Sequence, residues 1–294
     1  TNAPSTYGLA SVTHGFYHAN LYHDRLYALG FTEGAGNFQQ NNFGLGGAGN
    51  DRVLQEMQDG SGTNNANFAT PGDGSSGRCQ MYIFTGPAVD RDGGMDQDIL
   101  YHELTHGTST RCHENTLSAT QAGGMGEGWG DFFGICLNAE ASDDFNGVYA
   151  TGGHTTYQFP SGALWPNYYF GIRRFPYSTD MTKSPLTYGD IVAVTYDTAI
   201  PRNTVIGNTA GEVHNVGEIW CQTLLEARAN IGIDEGFGAN NTIMQLVVDG
   251  MKLAPANPSF LQERDAILQS DLVRYSGQHQ ARLPAIGRSG KDTS

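Results

Sequence analysis

Length, composition and charge limit the classes of protein to which this chain can belong. Its 294 residues are enough for one large domain or for two lobes with their own cores. The 16 basic and 30 acidic residues give a formal net charge of −14, which argues against nucleic acid and anionic membranes as partners. No apolar run approaches the ~20 residues that a membrane-spanning helix needs.

The start of the chain and its cysteines bear on where the protein works. The sequence begins with Thr and shows no basic or apolar leader, which is typical of a processed product. Cys79, Cys112, Cys136 and Cys221 form no C-x-x-C pair, so buried thiols and disulfides both stay open. The sequon at 240–242 (NNT) is a weak sign of secretion.

The predicted elements begin with a helix over residues 10–29, where apolar residues recur at helical spacing until Gly30. His14 and His18 have metal-like spacing there, but no carboxylate lies between them, so a packed helix is favoured. Residues 32–78 are rich in Gly, Asn and Asp. Their GLGGAG stretch matches a dinucleotide-binding pattern formally, but the segment before it makes a poor strand, so a surface loop is favoured.

Residues 79–84 (CQMYIF) predict a short strand, which is followed by helices that begin near Met95 and near Gly124. The DIVAVTYDT stretch over 190–198 predicts a further strand. Three amphipathic helices are predicted in the second half, over 212–228, 240–253 and 259–275. This order of elements indicates an α+β fold whose second half is mainly helical.

The segment YHELTHGTSTRCHEN contains His102, Glu103 and His106 in the order H-E-x-x-H. Residues four apart share one face of a helix, so the two histidines can bind one zinc ion. Glu103 follows the first histidine directly, so its side chain points close to the metal but in a different direction, as that of a general base must. A catalytic zinc site usually takes a third protein ligand and leaves a fourth position open.

Two candidates for the third ligand follow this motif. His113 lies one position away from a metzincin third histidine, and Ser109 replaces the glycine of that pattern, so it is not favoured. Glu127, in GGMGEGWGD, is favoured as the ligand. Asp131, one turn later, suits the carboxylate that orients a metal-bound histidine. From the residues alone, a solvated Glu127 and a locally paired Asp131 stay open.

The chain resembles the fungalysin family of secreted zinc metallopeptidases, which are relatives of thermolysin. The segments that carry the resemblance are HELTHG, GGMGEGWGDF, DGSGTNNANFATP, LGFTEGAGNFQQNN and YSTDM. It implies a thermolysin-like, two-lobed α+β fold. An α/β N-terminal lobe with a strand edge and the zinc helix is expected over 1–112, and a mainly helical C-terminal lobe over 113–294.

The resemblance also implies roles for individual residues. Zn²⁺ is expected on His102, His106 and Glu127, with Asp131 behind them. Glu103 is expected to take a proton from water and pass it to the leaving amine. The remaining implied roles are a hydrogen bond from His214 to the oxyanion and substrate binding by Asn65 and Ala66. From the residues alone, His214 reads more simply as a core or capping residue.

Calcium is a second cation that the resemblance raises, because thermolysin-like enzymes often have an Asp four residues before the first zinc ligand. That position is Asp98 here. Two acidic stretches offer hard oxygen ligands but match no EF-hand loop. Their members are Asp90, Asp92, Asp96 and Asp98 in the first stretch, and Glu140, Asp143 and Asp144 in the second.

The expected partners are protein and peptide substrates and an inhibitory propeptide, and the expected location is extracellular. Two alternatives to an endopeptidase stay open: a zinc aminopeptidase or small-amide hydrolase, and a non-catalytic binding protein with a relic site. The intact Glu103 argues against a relic, because a site without catalysis has no need of the base.

Overall fold

The computed structural model describes residues 3–85, 89–157 and 167–283, and the ends of both predicted lobes, residues 1 and 294, lie outside these ranges. The helices in the described part are α1 (Gly8–Ala28), α2 (Gln97–Cys112), α3 (Thr120–Asn138), α4 (Gly153–Thr156), α5 (Val213–Glu235), α6 (Gly238–Leu253) and α7 (Phe260–Tyr275). The strands are β1 (Leu54–Met57), β2 (Ala66–Ala69), β3 (Arg78–Met81), β4 (Ile83–Phe84) and β5 (Arg91–Asp92). The predicted α+β class is confirmed, and none of the described helices could cross a membrane.

Three strands form a mixed sheet with β3 in the centre. β1 runs parallel to β3, and β2 runs antiparallel to it with Ala66 opposite Met81. The predicted strand over 79–84 is split at Tyr82, because β4 leaves this sheet to pair with β5. β2 is an edge strand of the three-stranded sheet, and it packs against α2.

Glycines let the central helices pack at short range. A Cβ atom on Gly128 would lie 2.6 Å from the carbonyl oxygen of Gly217 and 2.8 Å from Cβ of Trp220. α3 and α5 can therefore approach each other at this point, with the indoles of Trp129 and Trp220 edge to face in the core. Such packing outweighs the low helix propensity of glycine. As a result α3 begins at Thr120, earlier than predicted.

The predicted strand over 190–198 is wrong. The carboxylate of Asp190 accepts hydrogen bonds from the backbone N–H groups of Thr187 and Thr195, which folds this stretch into a short 3₁₀ turn and bends. The side chain of Val192 is 86% exposed, so the β-branched residues here have no common buried face. Local bonds from the side chain to the backbone replace the ladder that the alternating pattern suggested.

The cysteines and the sequon bear on the prediction of secretion. All four cysteines are free thiols, so no disulfide forms between them. The sequon residue Asn240 is buried on α6, and its Nδ2 donates to the carbonyl of Cys136 at 2.8 Å. Because that amide already has an intramolecular partner, the sequon gives no support for secretion.

Candidate metal centre and active site

Two adjacent helices bring the three predicted metal ligands together. His102 and His106 lie one turn apart on α2, and Glu127 lies on α3. The Oε2 atom of Glu127 is 3.1 Å from Nε2 of His102, and its Oε1 is 3.8 Å from Nε2 of His106. Within the described ranges, this is the one group of three or more potential metal ligands whose atoms lie within 4.8 Å of one another. Two imidazoles and a carboxylate form a donor set that suits zinc.

Asp131 lies behind His102, as the sequence predicted. His102 Nδ1 is 2.7 Å from Asp131 Oδ1, which leaves Nε2 directed toward Glu127 and a metal. A Cβ atom on Gly130 would lie only 2.5 Å from His102 Nδ1, so a side chain there would displace the ring. The glycine spacing of α3 therefore serves the position of His102.

Arg173 and Tyr177, which sequence reasoning missed, hold Asp131 in place. The guanidinium of Arg173 donates from Nε and Nη2 to the two oxygens of Asp131, at 2.6 and 2.8 Å, and the Tyr177 hydroxyl donates to Oδ2. Burial opposes ionisation of Asp131, but the charges of Arg173 and His102 hold its pKa well below its usual range. The available signal was the pair of successive arginines, Arg173 and Arg174, between apolar residues in the GIRRF segment.

The two imidazoles differ in their protonation. Burial alone would lower the pKa of His102, but hydrogen bonds to Asp131 and Glu127 raise it to about 10. Burial lowers the pKa of His106 to about 4, so this imidazole is neutral at pH 7. A metal ion must therefore displace a proton from Nε2 of His102, which makes metal binding dependent on pH.

Glu103 meets the requirements of a group that exchanges protons near neutral pH. It lies on α2 between the two histidines and lines the same cleft. Burial raises the pKa of its carboxyl to about 7. Its Oε2 atom is buried and has no hydrogen-bond partner among the described residues. An unpaired oxygen of this kind is available to a reacting water.

His214 reaches the same centre from the first turn of α5. Its Nε2 lies 3.5 Å from Oε2 of Glu127, and half of its side chain is exposed, so it does not belong to the core. Its Nδ1 lies 2.7 Å from Oε1 of Glu212, whose Oε2 accepts the Asn215 N–H at 2.9 Å and so caps α5. Sequence reasoning missed Glu212, although an acidic residue just before a helix is a recognisable capping signal.

A cleft of about 760 Å³ joins these groups to the edge of the sheet. Asn65 and Ala66, at the start of β2, line it together with Glu103 and the three candidate ligands. The side chain of Asn65 is exposed, whereas Ala66 is buried. The start of β2 and the candidate metal centre therefore line the same cleft.

Three other histidines considered as ligands lie elsewhere. His113 is fully buried, with Nδ1 donating to the carbonyl of Ser109 at 2.7 Å and its ring stacked on Trp129. His14 bonds to the carbonyl of Gly94, and His18 to the Tyr101 hydroxyl. These contacts agree with the favoured reading of the His14 and His18 helix as a packing element.

Three of the acidic residues proposed for calcium already have protein partners. Asp92 accepts the N–H of Gly94 at 2.9 Å, Asp96 accepts the N–H of Thr155 at 3.0 Å, and Asp98 accepts Nδ2 of Asn138 at 2.9 Å. No further group of three ligands is found in the described parts of the chain. Calcium binding stays a prediction.

Replacing Asp98 with Asn is expected to raise Tm by ~2–4 °C at pH 8 in calcium-free buffer. Burial and the neighbouring Asp96 raise the pKa of Asp98 to about 7, so the folded state holds this proton more tightly than the unfolded state does. The free-energy cost of ionising Asp98 in the folded state therefore grows as pH rises from about 4 through 7. At pH 4 Asp98→Asn should melt at the same temperature as the parent. Melting curves at both pH values check this; a lower Tm at pH 8 would contradict it. Added calcium that raises Tm of the parent but not of Asp98→Asn would indicate a calcium site.

A glutamate on a second helix beside an H-E-x-x-H pair is the donor set of one class of metallopeptidase centre. Comparison with protein families identifies the chain itself. Residues 1–286 match the model described as Fungalysin metallopeptidase, and the chain belongs to this family.

Several curated fungal proteins are similar to the chain. Extracellular metalloproteinase 2 of Trichophyton rubrum is 41% identical over an alignment of length 299, which covers 95% of this chain and 43% of that protein. Extracellular metalloproteinase 10 of Coccidioides posadasii is 42% identical over an alignment of length 303, which covers 96% of this chain and 44% of the relative. Extracellular metalloproteinase MEP of Neosartorya fischeri is 41% identical over an alignment of length 304, with the same coverage. The chain thus spans less than half the length of these relatives.

Proposed function

We propose that this protein is a secreted zinc endopeptidase that hydrolyses internal peptide bonds of proteins. The observation that carries the proposal is the convergence of His102, His106 and Glu127 beside an unpaired Glu103 carboxylate in one open cleft. Membership of the fungalysin family supports it. The names of the relatives, extracellular metalloproteinases, support the extracellular location.

The residues present fit a zinc ion. His102 and His106 would bind it through Nε2, Glu127 through its carboxylate, and Asp131 fixes the His102 ring through Nδ1. When bound, zinc supplies a Lewis acid that polarises a substrate carbonyl and lowers the pKa of water toward ~7. The family implies a metal, and the nitrogen-rich donor set favours zinc over calcium.

The side chains around the metal position have three tasks: proton transfer, stabilisation of the oxyanion and binding of the substrate. Glu103 takes the proton of the attacking water and later delivers it to the leaving amine, a role that suits a pKa near neutrality. His214 donates from Nε2 to the oxyanion of the tetrahedral intermediate, while Glu212 holds its Nδ1. Asn65 and the backbone at Ala66 hold the substrate as an added strand on β2.

The cleft supports a thermolysin-like division into two lobes. Residues 1–112 would form the α/β lobe, with β2 and the zinc helix α2, and residues 113–294 the mainly helical lobe. Asn65 and Ala66 line the cleft from the first lobe, and Glu127 and His214 from the second. A cleft of about 760 Å³ suits a peptide better than a single amino acid.

The proposed partners follow from this activity. Protein and peptide substrates occupy the cleft, and an inhibitory propeptide keeps the enzyme inactive until it is removed. The net charge of −14 disfavours nucleic acid as a partner. Calcium at Asp98 is a further proposal, supported by the half-buried position of that carboxylate near the buried Asp96.

Replacing His214 with Ala is expected to lower kcat by ~10²–10³ with a smaller change in KM. The reason is that a donor to the oxyanion acts mainly in the transition state. Zinc content and Tm should barely change, because the side chain is half exposed. The exposed His154 provides the matched control His154→Ala, which should keep full activity. A lower Tm with unchanged kcat would show that His214 has a structural role and no role in catalysis.

Cleavage of a long peptide blocked at its N-terminus tests the proposed function. An endopeptidase should cut it at internal bonds, and the products identify those bonds by mass. An aminopeptidase should leave the blocked peptide intact but act on peptides with a free N-terminus. A small-amide hydrolase should also leave it intact but act on small amides. A zinc-loaded protein that hydrolyses none of these substrates would support a relic binding protein and overturn the proposal.

A further inference from the structure

The strand edge that lines the cleft begins at a sharp reversal of the chain. Thr63 pairs with Ile83 in a parallel bridge. Three residues later, Ala66 lies opposite Met81 in the antiparallel ladder between β2 and β3. Both partners lie in one short stretch of chain, so the direction of the backbone changes between residues 63 and 66. Asn65, which is proposed to hold the substrate, lies within this reversal.

Asn64 supplies the backbone conformation that the reversal needs. Its φ of 56° lies in the left-handed region, which few side chains other than Asn and Asp adopt readily. Its N–H donates to the carbonyl of Ile83 at 2.9 Å. Glycine would adopt the same backbone without steric cost. A left-handed residue with a side chain, placed directly before a substrate-binding residue, therefore points to a function for that side chain.

The side chain of Asn64 holds the turn through two hydrogen bonds to Thr85, which directly follows β4. Its Oδ1 accepts the N–H of Thr85 at 2.8 Å, and its Nδ2 donates to Oγ1 of Thr85 at 3.2 Å. With the backbone bond to Ile83, three hydrogen bonds tie Asn64 to the end of β4. We call the two side-chain bonds the Asn64–Thr85 clamp. A glycine could form the turn but not the clamp.

The clamp lies directly beside the residues that would bind the substrate. Asn65 is exposed, and both Asn65 and Ala66 line the cleft. Ala66 is fixed on its C-terminal side by the ladder with β3. On the N-terminal side, the direction of Asn65 depends on the backbone of Asn64. Because hydrogen bonds weaken steeply when their angles are poor, a small rotation here would cost affinity for the substrate.

We propose that Asn64 is a positioning residue, whose clamp on Thr85 fixes the direction in which Asn65 and Ala66 meet an extended substrate. The inference rests on the proposed binding of substrate along β2. Asn64 itself also lines the cleft, but its amide is already bonded to Thr85 on both atoms. It therefore acts on the substrate through its neighbours in the chain.

Replacing Asn64 with Gly tests the clamp without adding backbone strain. Loss of two hydrogen bonds that orient the edge should raise KM for a long blocked peptide ~5- to 10-fold, with kcat within ~2-fold of the parent. Hydrogen exchange at the Thr85 amide should become faster, because this N–H loses its acceptor. Asn64→Asp tolerates the left-handed backbone and keeps an oxygen for the Thr85 N–H, so its KM should return close to that of the parent.

Asn50→Gly is the matched control. Asn50 is also exposed and has a φ of 68°, and its Oδ1 accepts a hydrogen bond from Gln40 at 2.8 Å, but it does not line the cleft. Its replacement should leave KM unchanged. An equal rise in KM in this control, an unchanged KM in Asn64→Gly, or no recovery in Asn64→Asp would overturn the proposal. A joint loss of kcat and zinc in Asn64→Gly would show a structural role and overturn it as well.

Asn65→Ala separates this inference from the proposed function. A raised KM in Asn65→Ala with an unchanged KM in Asn64→Gly would overturn the positioning role alone. An unchanged KM in Asn65→Ala would overturn the substrate-binding role of Asn65 and the positioning role with it. In the double variant, the rise in KM should be smaller than the product of the two single effects, because Asn64 acts through Asn65. A full product would show an independent contact of Asn64 with the substrate and overturn the proposal.

Discussion

Replacing Glu103 with Gln is expected to lower kcat by ~10² or more while zinc stays at about one ion per chain. Gln keeps the size of the side chain but has no carboxylate to accept the proton of the attacking water. The metal should stay because Glu103 lies outside the ligand group of His102, His106 and Glu127. Steady-state kinetics and metal analysis on one preparation measure both effects.

The pH dependence of this variant sharpens its interpretation. A base must be deprotonated to act, so activity of the parent should fall as pH drops through the pKa of Glu103. The residual activity of Glu103→Gln should lack this acidic limb. Glu114→Gln is the matched control, because Glu114 is exposed just beyond the end of α2. Near-normal turnover in Glu103→Gln would refute the role of general base.

Replacing Glu127 with Ala is expected to remove most of the zinc and nearly all of the activity. The change deletes one of three ligands and leaves two imidazoles, of which His102 prefers a proton at neutral pH. Among the described residues no other carboxylate forms a group with both imidazoles, so none is in place to substitute for Glu127. Metal content after dialysis, compared with the parent, is the measurement.

A stability readout separates loss of a ligand from loss of the fold. Added zinc should raise Tm of the parent chain, because a ligand that binds the folded state stabilises it, and should raise Tm of Glu127→Ala far less. The metal-free proteins should melt at similar temperatures. Full zinc occupancy in Glu127→Ala would contradict the assignment of this residue as the third ligand.

Much of the centre was predictable because its ligands follow local rules. The pair His102 and His106 depends only on helical periodicity, and the preference for Glu127 over His113 depended on the missing glycine turn. In the structure His113 lies in the core against Trp129, away from the other two histidines of α2. The helices of the second half were equally accessible, because their apolar periodicity is long.

Other features depend on contacts between distant segments, which a single sequence does not encode in any local pattern. Arg173 and Tyr177 reach Asp131 from a loop 42 and 46 residues further along the chain. Apolar and polar residues alternate over 190–198 as in a strand, yet the carboxylate of Asp190 accepts a hydrogen bond from the backbone N–H of Thr195. Glu212 was accessible in principle as a helix cap, but its second contact, to His214, depends on the side-chain conformation.

The central claim is that the group His102, His106 and Glu127 holds one catalytic zinc ion. The most direct test is zinc content measured together with cleavage of a blocked peptide, before chelation, after chelation and after zinc is added back. We expect one zinc per chain, loss of cleavage when the chelator removes it, and recovery on reconstitution. Cleavage that persists at full rate in zinc-free protein would contradict it.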